Sequence, residues 1–370
     1  MIPLFKVAMA EGAAAAVGAV LGSGLIGQGP VVEEFEAALR RRIGNPYLAT
    51  VNSGSSGLHL AVRLAAGARA GGEALSTPLT MEATNWAVLA GGLDLRWVDV
   101  DPATLNMDLD DLARKITPAT RLIMVVHFAG YPVDLARLAR VLDEAEAAHG
   151  VRPVVVEDCA HAWGATYRGV PVGAHGNLSA FSFQAVKHLT CGDGGLLALP
   201  DAESHRRAKL LRWHGIDREA GDRLSDPPDV PEWGYKFHMN DVNAAIGLAN
   251  LPLADRAVRR HRDNAAFYDR ELKDVAGLEL TERAGDREGS FWIYPVKVDD
   301  RPGFIRRLAE AGIAASPVHR RNDLHSCVRG YRAPLPGMDR VHDRLVCVPV
   351  GWWVSAEERR HIADTIRAGW

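Results

Sequence analysis

The chain has 370 residues, 47% of them hydrophobic and 24% charged, enough apolar material for one large core and a smaller companion. That composition excludes a disordered, collagen-like or coiled-coil protein. With 43 basic against 46 acidic side chains the net charge is −3, so there is no basic surplus for a phosphate backbone and no nucleic-acid partner is expected.

At the N-terminus, Met1 to Met9 lacks a basic region followed by an apolar one and a cleavage site. The small apolar stretch Ala13 to Leu21 is interrupted by Gly18 and is too short to span a bilayer, so a cytoplasmic protein without a membrane partner is expected. Gly22, Gly24 and Gly27 spell G-x-G-x-x-G, but a helical stretch precedes them and no acid lies between Arg41 and Thr50, which excludes a dinucleotide fingerprint. Walker, H-E-x-x-H and G-x-S-x-G motifs are absent. Cys159, Cys191, Cys327 and Cys347 never form a C-x-x-C pair, and they read as reduced thiols in or near the core rather than as metal ligands.

Seven short apolar runs then alternate with helical segments: Leu48 to Val51, Glu73 to Thr77, Leu93 to Val98, Leu122 to Val126, Val154 to Val156, Ala180 to Phe183 and Gly195 to Leu199. This is the pattern of an α/β fold with a mostly parallel sheet covered on both faces. Helices fit Gly57 to Ala66, Val133 to His149 and a long stretch from Asp241 towards Phe267. Asp217 to Glu232 is too long for a plain connection and reads as a lid or contact element. Beyond it the spacing predicts a strand over Ser290 to Val298, a helix over Gly303 to Ala311 and a closing helix from Ser355 to Ala368 with Ser355 as N-cap. The predicted division is a large domain over 1–247 and a smaller α+β domain over 248–370.

Three strand ends carry candidate chemistry. Asn52-Ser53-Gly54-Ser55-Ser56-Gly57 reads either as an anion cradle at a helix N-terminus or as an ordinary serine cap. The strand Val154-Val155-Val156 ends in Glu157-Asp158-Cys159-Ala160-His161, where Asp158 faces a ligand or caps the next helix. Lys187 follows the aromatic run Phe181-Ser182-Phe183 and precedes a glycine turn. It is either a desolvated amine suited to Schiff-base chemistry or a snorkelling lysine. An anion cradle, a carboxylate and an amine on successive strand ends are together what pyridoxal phosphate requires.

On these motifs the sequence resembles the DegT/DnrJ/StrS sugar aminotransferases, of the fold type I architecture of aspartate aminotransferase. The resemblance rests on Ile26-Gly27-Gln28-Gly29-Pro30, Ser53-Gly54-Ser55-Ser56, His127-Phe128-Ala129-Gly130-Tyr131-Pro132, Glu157-Asp158-Cys159-Ala160-His161-Ala162, Phe181-Ser182-Phe183-Gln184-Ala185-Val186-Lys187 and Gly192-Asp193-Gly194-Gly195. It implies that Lys187 holds pyridoxal 5'-phosphate as a Schiff base and shuttles the proton, and that Asp158 pairs with the pyridine nitrogen. His161 is implied to contact the ring, and Gly54, Ser55, Ser56 and Ser182 to cradle the phosphate. Met81 stands where the family has an aromatic, and Lys236 where it has an asparagine that reaches the neighbouring subunit's cofactor. The resemblance therefore also implies a homodimer with shared active sites.

His319, Arg320, Arg321 and His325 match the segment that closes the substrate site, although the two arginines read equally as a solvated basic turn. Trp352 and Trp353 read as packing of the small domain rather than as a base-stacking platform. The reaction that the resemblance implies moves an amino group from an amino acid, L-glutamate, to a nucleotide-linked keto-sugar. A keto-cyclitol acceptor, a cofactor-dependent sugar dehydratase and a silent ligand-binding relative are the alternatives. Dehydratases of this fold replace the lysine with histidine, whereas Lys187 is present here.

Overall fold

The computed structural model describes residues 1–67, 71–218 and 229–370. In chain order the first elements are α1 (Ala13–Ser23), α2 (Pro30–Ile43), β1 (Leu48–Val51), α3 (Gly54–Ala66), β2 (Glu73–Ser76), α4 (Glu82–Ala90), β3 (Asp94–Trp97), α5 (Leu109–Lys115), β4 (Thr120–Val126), α6 (Leu135–His149) and β5 (Val154–Asp158). There follow β6 (Thr166–Tyr167), β7 (Val170–Pro171), β8 (Leu178–Ser182), β9 (Gly195–Ala198), α7 (Ala202–Leu211) and α8 (Asp241–Leu272). The chain closes with β10 (Leu278–Leu280), β11 (Arg287–Glu288), β12 (Tyr294–Val298), α9 (Arg301–Glu310), α10 (Pro336–His342), β13 (Leu345–Val348) and α11 (Ala356–Arg367).

Seven strands form one sheet in the order β1-β9-β8-β5-β4-β2-β3, so each strand expected from the sequence takes its place there. Pairings from β8 through β5, β4 and β2 to β3 are parallel, and β9 runs antiparallel to both β8 and β1. Strands covered on both faces read as continuous apolar runs, and Leu122, Ile123, Met124, Val125, Val155 and Val156 are all buried. The carboxyl ends of the central strands lie side by side, with Val126 paired to Asp158 and Asp158 to Ala180. That edge is where an open α/β sheet presents ligand-binding loops.

The smaller unit is a three-stranded antiparallel sheet, β10-β12-β13. Its core includes Tyr268, Val296, Phe304 and Ile362, so α8, α9 and α11 all contribute. The proposed boundary at 247 and 248 falls inside α8, a continuous helix whose first part packs on α1 and α2 and whose end packs on α11 and β10. Ser355 caps α11 through a reciprocal capping box with Glu358.

The glycine decoy resolves into helix ends. Gly24 closes α1 with φ of 75°, and Gly29 precedes α2, where its amide donates to Asp241 Oδ1 at 2.8 Å. A Cβ on Gly29 would lie 2.8 Å from Asp241 Oδ2, which accounts for a glycine there. One strand begins later than its sequence pattern suggests. Residues 290–293 leave β12 because the Ser290 and Trp292 amides donate to Gly130 and Ala129 carbonyls instead of to a ladder. Part of the expected lid, residues 219–228 of Asp217 to Glu232, lies outside the described residues. Cys159, Cys191 and Cys347 are buried free thiols, whereas Cys327 is exposed. Among the described residues no helix is long and apolar enough to cross a membrane.

Candidate active site

A cavity of about 360 Å³ opens at the carboxyl ends of β4, β5 and β8. Its lining includes Gly54, Ser55, Met81, Asp158, His161, Ser182, Lys187 and His319, residues spread over most of the chain.

Asp158 is the last residue of β5, buried to 4% exposure. Its Oδ1 accepts from the Ala160 amide at 2.9 Å and its Oδ2 from the Thr84 hydroxyl at 2.6 Å. Thr84 Oγ1 lies 2.8 Å from Thr80 Oγ1, so a short hydroxyl chain running from the loop before α4 into its first turn fixes the carboxylate. Strand alternation turns the preceding Glu157 to the other face, where it meets His127 Nε2 at 2.8 Å and Asn177 at 2.6 Å. His127, Glu157 and Cys159 lie close enough for a metal ion, yet both carboxylate oxygens and both ring nitrogens already have partners within the chain.

Lys187 leaves the loop after β8 and carries its Nζ to 3.4 Å from the centroid of the Trp292 ring. Burial lowers its pKa from 10.5 to about 7, against the opposing pull of the Asp158 charge. A substantial fraction of the amine is therefore neutral near physiological pH and available as nucleophile and base. His161 stacks on Trp292 at 4.1 Å and lies nearly parallel to His319 at 5.6 Å. Burial first, then the nearby Lys187, pushes the His161 pKa far down and that of His319 to about 4, so both rings are neutral. His161 Nδ1 and His319 Nε2 are buried without a hydrogen-bond partner.

The helix α3 starts earlier than its apolar pattern suggests, at Gly54 rather than Gly57, which brings Gly54 and Ser55 into its first turn. First-turn amides have no intrahelical acceptor, and with the exposed Ser55 and the Ser182 hydroxyl they face the cavity as an anion cradle. A Cβ on Gly54 would lie 2.7 Å from Ser182 Cβ, so only glycine brings helix and strand this close. Ser53 supplies the cap, accepting from the Ser56 amide at 3.0 Å, and the cap leaves the other first-turn amides free for an anion.

Several expected site residues stand elsewhere. Ser56 is buried and donates to Asn52 at 2.6 Å, turned into the cap rather than the cavity. Lys236 is exposed and outside the cavity of its own chain, its carbonyl accepting from Asn52. Arg321 is buried and bidentate to Asp323 at 2.8 Å on both arms, with a further bond to Asp339, so its fork is used for folding. His325 is not among the cavity-lining residues and lies 3.2 Å from Glu82, edge-on to Trp86. Arg320 is exposed next to His319. Sequence reasoning missed Thr84 and Trp292. Each is one residue in an unremarkable run, and only folding brings it to Asp158 or Lys187.

The cavity fits pyridoxal phosphate: a cradle for the phosphate, a buried carboxylate for the ring nitrogen, an unpartnered neutral imidazole beside the ring site and a neutral amine for the aldehyde. Fold and site together define a pyridoxal-phosphate-dependent enzyme of fold type I. The model of the DegT/DnrJ/EryC1/StrS aminotransferase family matches residues 8–367, and the chain belongs to that family. It is thus a pyridoxal-phosphate-dependent aminotransferase. The sugar aminotransferase CalS13 from Micromonospora echinospora is 59% identical, with a TM-score of 0.98 and coverage of 100% of both chains. AtS13 from Actinomadura melliaura is 63% identical, with a TM-score of 0.98, covering 100% of this chain and 99% of its own. The PLP-form structure of Spr1654 from Streptococcus pneumoniae is 26% identical at a TM-score of 0.90, covering 99% of this chain and 98% of its own.

Proposed function

We propose that the enzyme takes the amino group of L-glutamate and places it on a keto-sugar carried by a nucleotide, in a homodimer whose cavities draw residues from both subunits. The observation that carries amino transfer is the meeting, in one cavity, of the desolvated Lys187 amine and the buried Asp158 carboxylate. Pyridoxal phosphate, when bound, supplies the electron sink that makes the carbon beside the amino nitrogen acidic. Asp158, held by Thr84 and Ala160, presents a fixed negative charge that keeps a proton on a ring nitrogen set against it. Lys187 accepts the proton of the donor's α carbon at Nζ and returns it one position along, acting as base and then as acid. The neutral His161 and His319 leave that transfer without a competing cation.

The likeness to CalS13, a sugar aminotransferase, supports a sugar acceptor. Arg320, exposed beside the cavity residue His319, supports a phosphate-bearing carrier. A dimer is supported by Lys236, which stands outside its own cavity, and by exposed apolar side chains, Leu25 at 64%, Ile26 at 53% and Met81 at 49%.

The test is the visible spectrum of the purified protein before and after L-glutamate, with borohydride trapping and peptide mapping. It is followed by a panel of nucleotide-linked 3- and 4-keto-sugars and keto-cyclitols. Colour that bleaches with glutamate, a trapped cofactor on Lys187 and turnover of a nucleotide-linked sugar are expected. Turnover of a cyclitol alone, or binding of cofactor with no turnover of any acceptor, would overturn the assignment.

A further inference from the structure

The turn before β12 places an indole against the reactive amine. We propose that Trp292 is a positioning residue that holds the Lys187 amine at one point on the cavity wall, with Phe5 of the N-terminal segment as its backing. This rests on Lys187 being the cofactor-binding lysine.

Lys187 Nζ lies 3.4 Å from the Trp292 ring centroid, over the π face, which attracts an ammonium group. The indole is fixed to the lysine's own loop, since its Nε1–H donates to the Val186 carbonyl at 2.9 Å. His161 stacks against it at 4.1 Å and Phe5 at 5.0 Å. The backbone that carries it is equally constrained. Phe291 has φ of 53°, a conformation that a bulky residue adopts only when its surroundings impose it. Those surroundings are the Trp292 amide bonded to Ala129, the Ser290 hydroxyl donating to His161 O at 2.8 Å, and His261 Nδ1 at 2.7 Å from Phe291 O.

Phe5 in turn comes from a segment tied to the small sheet's surroundings. Ile2 exchanges backbone bonds with Gly312 and Ala314, and Trp353 Nε1 donates to Pro3 O at 2.9 Å. A packing role alone would not need the ring face to meet Nζ. The position of that face makes it a determinant of where the amine rests and how readily it carries a proton.

The other titratable groups around the amine are Asp158 at the end of β5, His161 just beyond it, His319 from the C-terminal segment, His188 next in the chain and Asp193, which lines the same cavity from the loop before β9. Burial keeps the three imidazoles neutral, and of the groups that touch the amine, the Asp158 charge and the Trp292 face favour its charged form.

The experiment labels cofactor-free protein with trinitrobenzenesulfonate across a pH series and reads the rate at Lys187 by peptide mass spectrometry. Trp292→Leu keeps apolar volume but removes the π face, and should lower the labelling midpoint by about one pH unit. Trp292→Phe, which keeps a weaker ring, should lower it by less, and Phe5→Leu should shift it in the same direction. A folded Trp292→Leu protein with an unchanged or raised midpoint overturns the proposal, because a structural role or simple exclusion of water would then suffice. If Trp292→Leu does not fold, the Trp292→Phe midpoint decides by the same criterion. Label that maps to a different lysine in the unaltered protein overturns the underlying assignment of Lys187 instead.

Discussion

Replacing Lys187 by methionine should make the cofactor-free protein more stable. The substitution keeps length and apolar bulk and removes a titratable group from a buried position. Burial holds the amine's pKa at about 7 against its ordinary 10.5. Between those values the unfolded chain binds a proton at this position that the folded chain does not, so stability rises with pH across that window. At pH 8 the folded protein is about 3 kcal/mol less stable than one with a side chain that does not titrate. The deficit grows to about 5 kcal/mol well below pH 7 and falls below about 1 kcal/mol at pH 10. Urea denaturation of both cofactor-free proteins, followed by far-ultraviolet circular dichroism, measures the difference at each pH. Equal stabilities at pH 8, or an advantage of the variant that does not shrink on going to pH 10, would refute the reasoning. A stability cost of this kind is what a catalytic amine held out of water entails.

Asp158→Asn can preserve both local hydrogen bonds, because the Thr84 hydroxyl can accept as well as donate. Folding should be retained, while loss of the charge should slow the glutamate half-reaction about ten- to a hundredfold, measured by single-turnover bleaching. Gly54→Ala puts a methyl 2.7 Å from Ser182 Cβ, and should cost about 1 to 3 kcal/mol and weaken cofactor binding by fluorescence titration. His127→Ala leaves the buried Glu157 carboxylate without the donor Nε2–H, and should cost about 1 to 3 kcal/mol by denaturation. In the unaltered protein the contacts of Glu157 with His127 and of Glu36 with Arg212 hold both carboxyls below their ordinary range despite burial. Their contribution is present above about pH 4.5 and is lost as pH falls through the lowered folded values, which acid denaturation will show. Arg320→Ala should raise KM for the nucleotide-linked sugar and leave glutamate bleaching unchanged. Arg321→Ala should instead lower thermal stability, since it strips Asp323 of its partner.

The sheet was legible because each of its strands is a short apolar run with a turn residue at its end, and such runs specify strands locally. The site's backbone was legible for a related reason: Asp158 ends a strand, Gly54 and Lys187 follow the ends of two others, and the sheet brings those ends together. Reading the capping loop as serine cap or anion cradle left two alternatives; the fold shows the cap at Ser53 and is compatible with the cradle.

Other features depend on contacts far apart in sequence. Thr84 bonds Asp158 across 74 positions, Trp292 donates to Val186 across 106, and Asn85 to Asn322 across 237. Arg320 and Arg321 are neighbours of one type, yet one faces solvent and the other is buried against Asp323, a difference no local pattern encodes. The sequence by itself determined the strands, their polar ends and the kind of chemistry those ends can perform, because hydrophobic period and turn chemistry act over a few residues. Only the tertiary structure decided the burial that lowers the Lys187 pKa, the ring it rests on and which of the two arginines stays exposed, because desolvation and stacking depend on what the rest of the chain packs around a group.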